Sequence, residues 1–331
     1  MTHITSNGAP DPARPVTVIG AGISGLACAR ALRASGTPVR VLDRGRRVGG
    51  RMATRTVGGR PVDIGAAYLT APDDDGFADI VGGWTERGLA REWTDTFAVA
   101  TASGVSGTTT GPMRYAAPAG LRSLVADLAA GLEVVSDRVV SAVAPGSVDG
   151  ASVADVVLAM PAPQARRLLP DDSPFAPVLD ARAFEPVIAV VLCWDERRWA
   201  ADLHGAFVDG DPDVSFIADD GDRRGDGAAV LVVHTTAERA RRHLAAPDGA
   251  IAPAVAATRR ILGIDRDPDA VFAHRWTFAR PADNGDEPYL WHDGIGVCGD
   301  AWGGPTAVRT AWSSGDALGR AIGAGAATPG R

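Results

Sequence analysis

The chain has 331 residues, 46% of them hydrophobic and 22% charged, with a formal net charge of -7. That is enough apolar material for one large domain or two intimate ones, and the acidic balance argues against a nucleic-acid or anionic-membrane partner, either of which favours a basic face. The sequence contains no lysine, so all 33 basic residues are arginine and Schiff-base or ammonium chemistry is excluded.

In chain order, residues 1–14 carry neither a basic n-region nor an apolar h-region, and are expected to be a flexible arm and not a signal peptide. "PVTVIG" reads as a buried strand, "ISGLACARALRAS" as a helix and "TPVRVLD" as a second strand, together the length of one right-handed crossover. "RMATRTVGGRPVDIGAAYLTA" reads as a hairpin turning at Gly58-Gly59. Residues 72–118 are mixed and Trp-bearing, a departure into a second region. "GLRSLVADLAAGL" is helical, "EVVSDRVVSAVAP" a strand pair, "ASVADVVLAMP" an apolar strand and "APQARRLL" a short helix. "PVIAVVLCW", "VSFIADD" and "GAAVLVVHTT" follow as strands with turn-rich links, the pattern of an antiparallel sheet. A helix (249–263), a strand ("AVFAHRWTFAR"), a last apolar strand ("DGIGVCGD") and a last helix ("TAVRTAWSSGDALGRAI") complete the series; 324–331 are expected to be a flexible tail. No window approaches a membrane span. Cys28, Cys193 and Cys298 lack metal-ligand spacing and read as reduced thiols of a cytoplasmic protein, with no metal site.

The chemistry starts at Gly20-Ala-Gly22-Ile-Ser24-Gly25, a G-x-G-x-x-G turn between strand and helix. The first glycine permits the tight turn, the second lets a pyrophosphate approach the backbone and the third lets the helix pack on the strand. The helix N-terminus offers free N–H groups to the phosphates, Ser24 adds a hydroxyl, and Asp43 at the end of the second strand is placed to accept from ribose hydroxyls. A second match, Gly294-Ile-Gly296-Val-Cys-Gly299, lies inside a strand and is rejected. After the acid, Gly49-Gly50-Arg51 is placed to hold the pyrophosphate from its other side, while Arg44, Arg46 and Arg47 read as a solvated loop. At the far end of the chain, Gly299-Asp300 tips an apolar strand before the last helix. Asp300 suits a ribityl hydroxyl and that helix N-terminus suits the flavin N1–C2=O edge, so a cofactor held at both ends, FAD, is favoured over NAD.

These motifs, with "GGRMATR", "DIGAAYLTA", "YAAPAGLRSL", "LAMPAPQARRLL", "VSFIADDGDRR", "LVVHTT" and "FAHRWTFAR" in order, resemble the FAD-dependent amine oxidase superfamily, and within it the renalase branch, from Val16 to Ile322. The resemblance implies an α/β fold: a doubly wound, Rossmann-type FAD lobe (15–72, 119–165 and 286–323) and a mixed or antiparallel-sheet substrate lobe (73–118 and 166–285). It implies FAD bound without a covalent link, oxidation of 2- or 6-dihydro isomers of NAD(P) by hydride transfer to flavin N5, O2 as acceptor and hydrogen peroxide as product. The expected cofactor shell is Gly20, Gly22, Ser24, Gly25, Asp43, Arg44, Gly50, Arg51, Met52, Gly65, Ala66, Ala67, Val139, Gly299, Asp300 and Val308. Tyr68, His234 and Trp302 are candidates for the substrate side, whereas His274 and Trp276 read as packing. No general base is required for a donor that already carries an activated hydride. Two departures bear on substrate choice: Ala67 stands where the family usually has glutamine, and Arg309 where bacterial members commonly carry an acid. The alternatives are an amine or carbon–carbon desaturating oxidase of a small secondary metabolite, and a non-catalytic flavin-binding redox sensor. Oligomeric state is not indicated.

Overall fold

The computed structural model describes residues 14–72 and 76–325; most of both expected flexible ends (1–13 and 326–331) lies outside them. Two sheets organise the molecule. The first has six strands in the order Leu290–His292, Ile295–Val297, Val156–Leu158, Val16–Ile19, Val39–Leu42, Glu133–Val135. All neighbours are parallel except the first pair, a hairpin on the edge. Its central strands, VTVI and VVL, are buried throughout, because helices or loops cover both faces of a parallel sheet.

The second sheet has eight strands, in the order Ala270–Pro281, Phe184–Cys193, Val230–Thr235, Val214–Asp219, Gly205–Asp209, Arg91–Thr101, Gly104–Ala116, Leu69–Thr70. Every pairing is antiparallel save Gly205–Asp209 with Arg91–Thr101. One face packs on the Ile251–Leu262 helix through Ile188, Val190, Ile217, Leu231 and Val233. Strand alternation turns His234 and Phe216 to the other face, which looks toward the cofactor segments. A separate hairpin, Thr54–Val57 with Arg60–Asp63, turns at Gly58 and Gly59, both at positive φ, as the two-residue turn requires.

Three expectations need correction. "EVVSDRVVSAVAP" is not a strand pair: only Glu133–Val135 joins the parallel sheet, and Val143–Ala144 belongs to a small three-stranded sheet. Asp137 at φ 55° breaks the extended run between them. The mixed stretch after residue 72 holds a helix, Gly76–Glu86, and the longest hairpin of the chain, whose second strand is so Gly- and Thr-rich and exposed that no alternation marks it. The lobe boundaries also shift. Phe77, Val81 and Trp84 pack into the core under the opening helix, and Leu169, Phe175 and Leu179 pack with Ile19 and Leu158, so both segments join the first lobe. Leu69–Thr70 pairs instead with the second sheet.

Candidate active site

The strand Val16–Ile19 ends at Gly20, at φ 114°, whose N–H donates to the Leu42 carbonyl. A Cβ on Gly20 would collide with the Ala159 carbonyl, and one on Gly25 with the Gly20 carbonyl, so both positions exclude any larger residue. Gly22 differs. A Cβ there would meet nothing nearer than the Gly50 Cα at 4.0 Å, which leaves a slot between two glycine backbones. Gly22 caps the Ile23–Ala34 helix without a side-chain bond, so the first-turn N–H groups have no side-chain partner. A pyrophosphate in that slot would meet them directly.

Asp43 holds the turn from the second strand, accepting from Ala21 N at 2.6 Å and Gly45 N at 2.6 Å. Its carbonyl accepts from Arg138 N, which brings the loop before Val139 alongside; Val139 itself is 61% exposed, an apolar side chain open at this mouth. Arg44 and Gly50 are exposed too.

At the other end of the groove, Arg51 and Asp300 form a two-bond fork of 2.7 and 2.5 Å, and Arg51 also donates to the Ala279 carbonyl at 3.0 Å. Gly299 is fixed by its N–H to Ser314 Oγ at 3.0 Å. The helix Val308–Gly323 starts at Ala307 with no side-chain cap, a second N-terminus open to a partial negative charge.

Gly65, Ala66 and Ala67 pass between these ends and the second sheet. Ala66 N donates to the Arg51 carbonyl at 2.9 Å, and the Gly65 backbone approaches Arg51 too closely for any Cβ. Beneath lies a buried charge network. Arg223, fully buried, donates to the Ala67 carbonyl at 2.8 Å and pairs with Asp220, which also holds Arg224 and Arg60. Burial pushes the Asp220 carboxyl up, but Arg223, Arg224 and Arg60 outweigh it and hold it at about 2.

The face of the second sheet turned from the Ile251–Leu262 helix carries a row of rings. His234 bonds the Gly65 backbone, and Phe216 lies 5.8 Å from it between ring centres. Phe207 follows at 5.6 Å from Phe216, and Phe97 at 5.4 Å from Phe207. Tyr68 stands 5.4 Å from Phe97. Trp276 donates to the Ile64 carbonyl at 2.7 Å and packs against Gly65. Arg114 is 5% exposed, its guanidinium 4.0 Å over Phe97 and 5.4 Å from Tyr68, and it donates to the Asp95 carbonyl at 2.6 Å. Burial, then the Arg223 and Arg280 charges, lower the His234 pKa to about 4, so its imidazole is neutral at pH 7.

Three expected site residues do not reach the groove with their side chains. The Ser24 hydroxyl is fully buried and turned to Cys298, so it adds nothing to a phosphate site. The Met52 side chain packs in the first core. Trp302, 2% exposed, packs with Ile19, Leu42 and Leu158 under the Arg182 guanidinium, which removes it from the substrate side. Conversely, Arg114, Phe97, Phe216 and Arg223 were not singled out from sequence. "VSFIADDGDRR" carries two of them, but only strand pairing brings Phe216 beside His234 and Arg223 under Ala67.

Residues 18–82 match an NAD(P)-binding Rossmann-like domain and residues 83–317 match a flavin containing amine oxidoreductase model. The chain belongs to the flavin-containing amine oxidase family. FAD is its cofactor, and the slot at Gly22, the two uncapped helix ends and the Asp43 and Arg51 side chains fit a long, doubly anchored dinucleotide. The renalase branch is not singled out by these matches. Among curated relatives, a rice (Oryza sativa subsp. japonica) protein, polyamine oxidase 5, is 44% identical over 69 residues, 21% of this chain and 14% of its own length. A neurosporene-forming phytoene desaturase of Rhodobacter capsulatus is 50% identical over 56 residues, 17% of this chain and 11% of its own. Both stretches are a small part of either protein. Two solved structures are similar over the whole fold. Putrescine oxidase bound to putrescine has a TM-score of 0.76 at 17% identity, covering 94% of this chain and 99% of that one. Cyclohexylamine oxidase from Brevibacterium oxydans has a TM-score of 0.75 at 15% identity, with the same coverage. Among the described residues no helix of this flavoprotein is long and apolar enough to cross a membrane.

Proposed function

We propose that this flavoprotein oxidises dihydronicotinamide dinucleotides that carry hydride at ring carbon C2 or C6. The donor loses a hydride and becomes NAD(P)+, and O2 takes those two electrons with a second proton to give hydrogen peroxide. FAD, when bound, supplies the hydride acceptor at N5. The observation that carries this reading is the make-up of the sheet face: Tyr68, Phe97, Phe207, Phe216, Trp276, a neutral His234 and a buried Arg114, with no carboxylate among them. Such a face stacks and orients a flat donor. Arg114, which has no acidic partner among the described residues, favours an anionic substrate over a cationic one.

The aromatic row also suits an apolar substrate, which keeps an amine or desaturating oxidase as the second reading. Anaerobic mixing of the holoenzyme with each dihydronicotinamide isomer separates the two. A pocket that places C2 or C6 within about 3–3.5 Å of N5 holds C4 away from it, so the 2- or 6-dihydro forms bleach the flavin quickly and the 4-dihydro form slowly. Equal rates for all isomers, or turnover of a simple primary amine at a few per second, a rate ordinary for an enzyme, would pass the claim to the second reading. A flavin that no donor reduces would leave the redox-sensor reading.

A further inference from the structure

Among the described residues most arginines of this acidic chain meet a carboxylate, a carbonyl or a ring; Arg44, Arg46, Arg47, Arg55 and Arg122 do not, and the last three stand together. They line one groove of about 260 Å³, together with Thr54, Thr56, Pro61, Ala119, Ser123 and Ala126. Among the described residues none of the three guanidinium groups has an ion-pair or hydrogen-bond partner, and Arg122 Nε is buried with its hydrogen-bonding capacity unused. The one acid that Arg122 faces, Asp63, is already engaged by Thr54 Oγ1, Leu121 N and Arg224. Burial first, then the neighbouring Arg47 and Arg55 charges, push the Arg122 guanidinium below its ordinary range. Three like charges turned to one concavity raise each other's energy until an anion enters. The Thr54 and Ser123 hydroxyls already donate to Asp63 and to the Gly120 carbonyl, so the guanidinium forks, with the Thr56 hydroxyl, are the donor set left for phosphate oxygens.

We propose that this groove binds a phosphate group, outside the FAD site, and that its occupancy tightens FAD retention. The coupling follows from covalent neighbours. Arg47 and Arg55 flank the segment that carries Gly49, Gly50 and Arg51, and Arg122 packs on Gly49 from the Leu121–Ala129 helix. Arg122 N also donates to Thr54 Oγ1 at 3.3 Å. An anion clamped by all three arginines therefore pins the loop on which the Gly22–Gly50 slot depends. By linkage, the ligand that slows FAD loss is itself bound more tightly when FAD is present.

The test titrates FAD-loaded protein calorimetrically with inorganic phosphate and, separately, with glycerol 1-phosphate, at constant ionic strength against a chloride control. One saturable site is expected, weakened at least ten-fold in Arg55→Gln/Arg122→Gln and only partly in Arg55→Lys/Arg122→Lys. Saturating phosphate should slow FAD release several-fold in the native protein and leave the Gln double variant unchanged. Tighter binding of the ester assigns the site to an organic phosphate; equal binding assigns it to phosphate itself. Heat no larger than the chloride control, or binding that survives the double Gln variant with its circular dichroism intact, overturns the site. FAD release unaffected by bound phosphate overturns the coupling.

Discussion

Arg51 and Asp300, 249 positions apart, meet in a two-bond fork that ties the glycine loop of the first crossover to the last strand of the same sheet. The pair is partly shielded, with side chains 28% and 9% exposed, so it feels less solvent screening than a surface pair. It fixes the guanidinium plane at the far end of the groove, where Gly299 bonds Ser314 of the uncapped Val308–Gly323 helix.

Arg51→Ala and Asp300→Asn should each weaken FAD retention. A lost charge-assisted hydrogen bond costs about 1.5–3 kcal/mol, roughly ten- to a hundred-fold in affinity. The double variant should lose less than the sum of the two, because each single change already breaks the fork. FAD titrations of the three variants decide it, and strictly additive losses would mean that the pair does not act as a unit.

Gly22 and Gly25 should respond differently to alanine. At Gly25 the methyl meets the Gly20 carbonyl, so Gly25→Ala should lower the folding yield and the urea midpoint. At Gly22 the methyl meets nothing nearer than the Gly50 Cα at 4.0 Å, and φ is an ordinary -80°. Gly22→Ala should therefore fold normally and fail to hold FAD, the methyl occupying the place of the pyrophosphate. Wild-type flavin content in Gly22→Ala would displace the cofactor from this slot.

His234 carries a pH prediction. Its pKa falls from an ordinary 6.5 to about 4 in the folded protein. The unfolded chain thus takes up a proton first, and stability present above pH ~6.5 is lost as pH falls toward ~4. His274, held near 4 by burial and then by Arg55 and Arg275, acts in the same direction. Urea midpoints at pH 7.5 and 5.0 should differ less in His234→Gln than in the native protein. Flavin reduction, for its part, should be flat in rate between pH 6 and 8; a limb near neutrality that vanishes in His234→Gln would assign the histidine a titrating role.

The flavin should be released whole by acid. Cys28 and Cys298 are buried free thiols, and burial pushes Cys298 up to about 12, far from the thiolate that a covalent link needs. Cys193 lies on the second sheet, its thiol raised in the same way. Trichloroacetic acid should leave a colourless pellet, and yellow retained there would establish a tether.

The sequence by itself determined the first crossover, the glycine turn, Asp43 and the terminal Gly299-Asp300, because each is a local device: a backbone conformation or an end-of-strand position needs only its neighbours. The second glycine match, Gly294–Gly299, falls on the strand Ile295–Val297 and on the turn after it, as its apolar run indicates. What only the tertiary structure decided is everything made by strands distant in sequence. Arg114 is a charged residue in a polar, exposed strand until its pairing brings Tyr68 and Phe97 around it. Arg223 reads as one of two arginines after a turn until the sheet sets it under Ala67. Trp302, beside the terminal aspartate, shares a motif with the cofactor but turns into the opposite core. Side-chain direction on a sheet follows from register, and register is a property of two segments together.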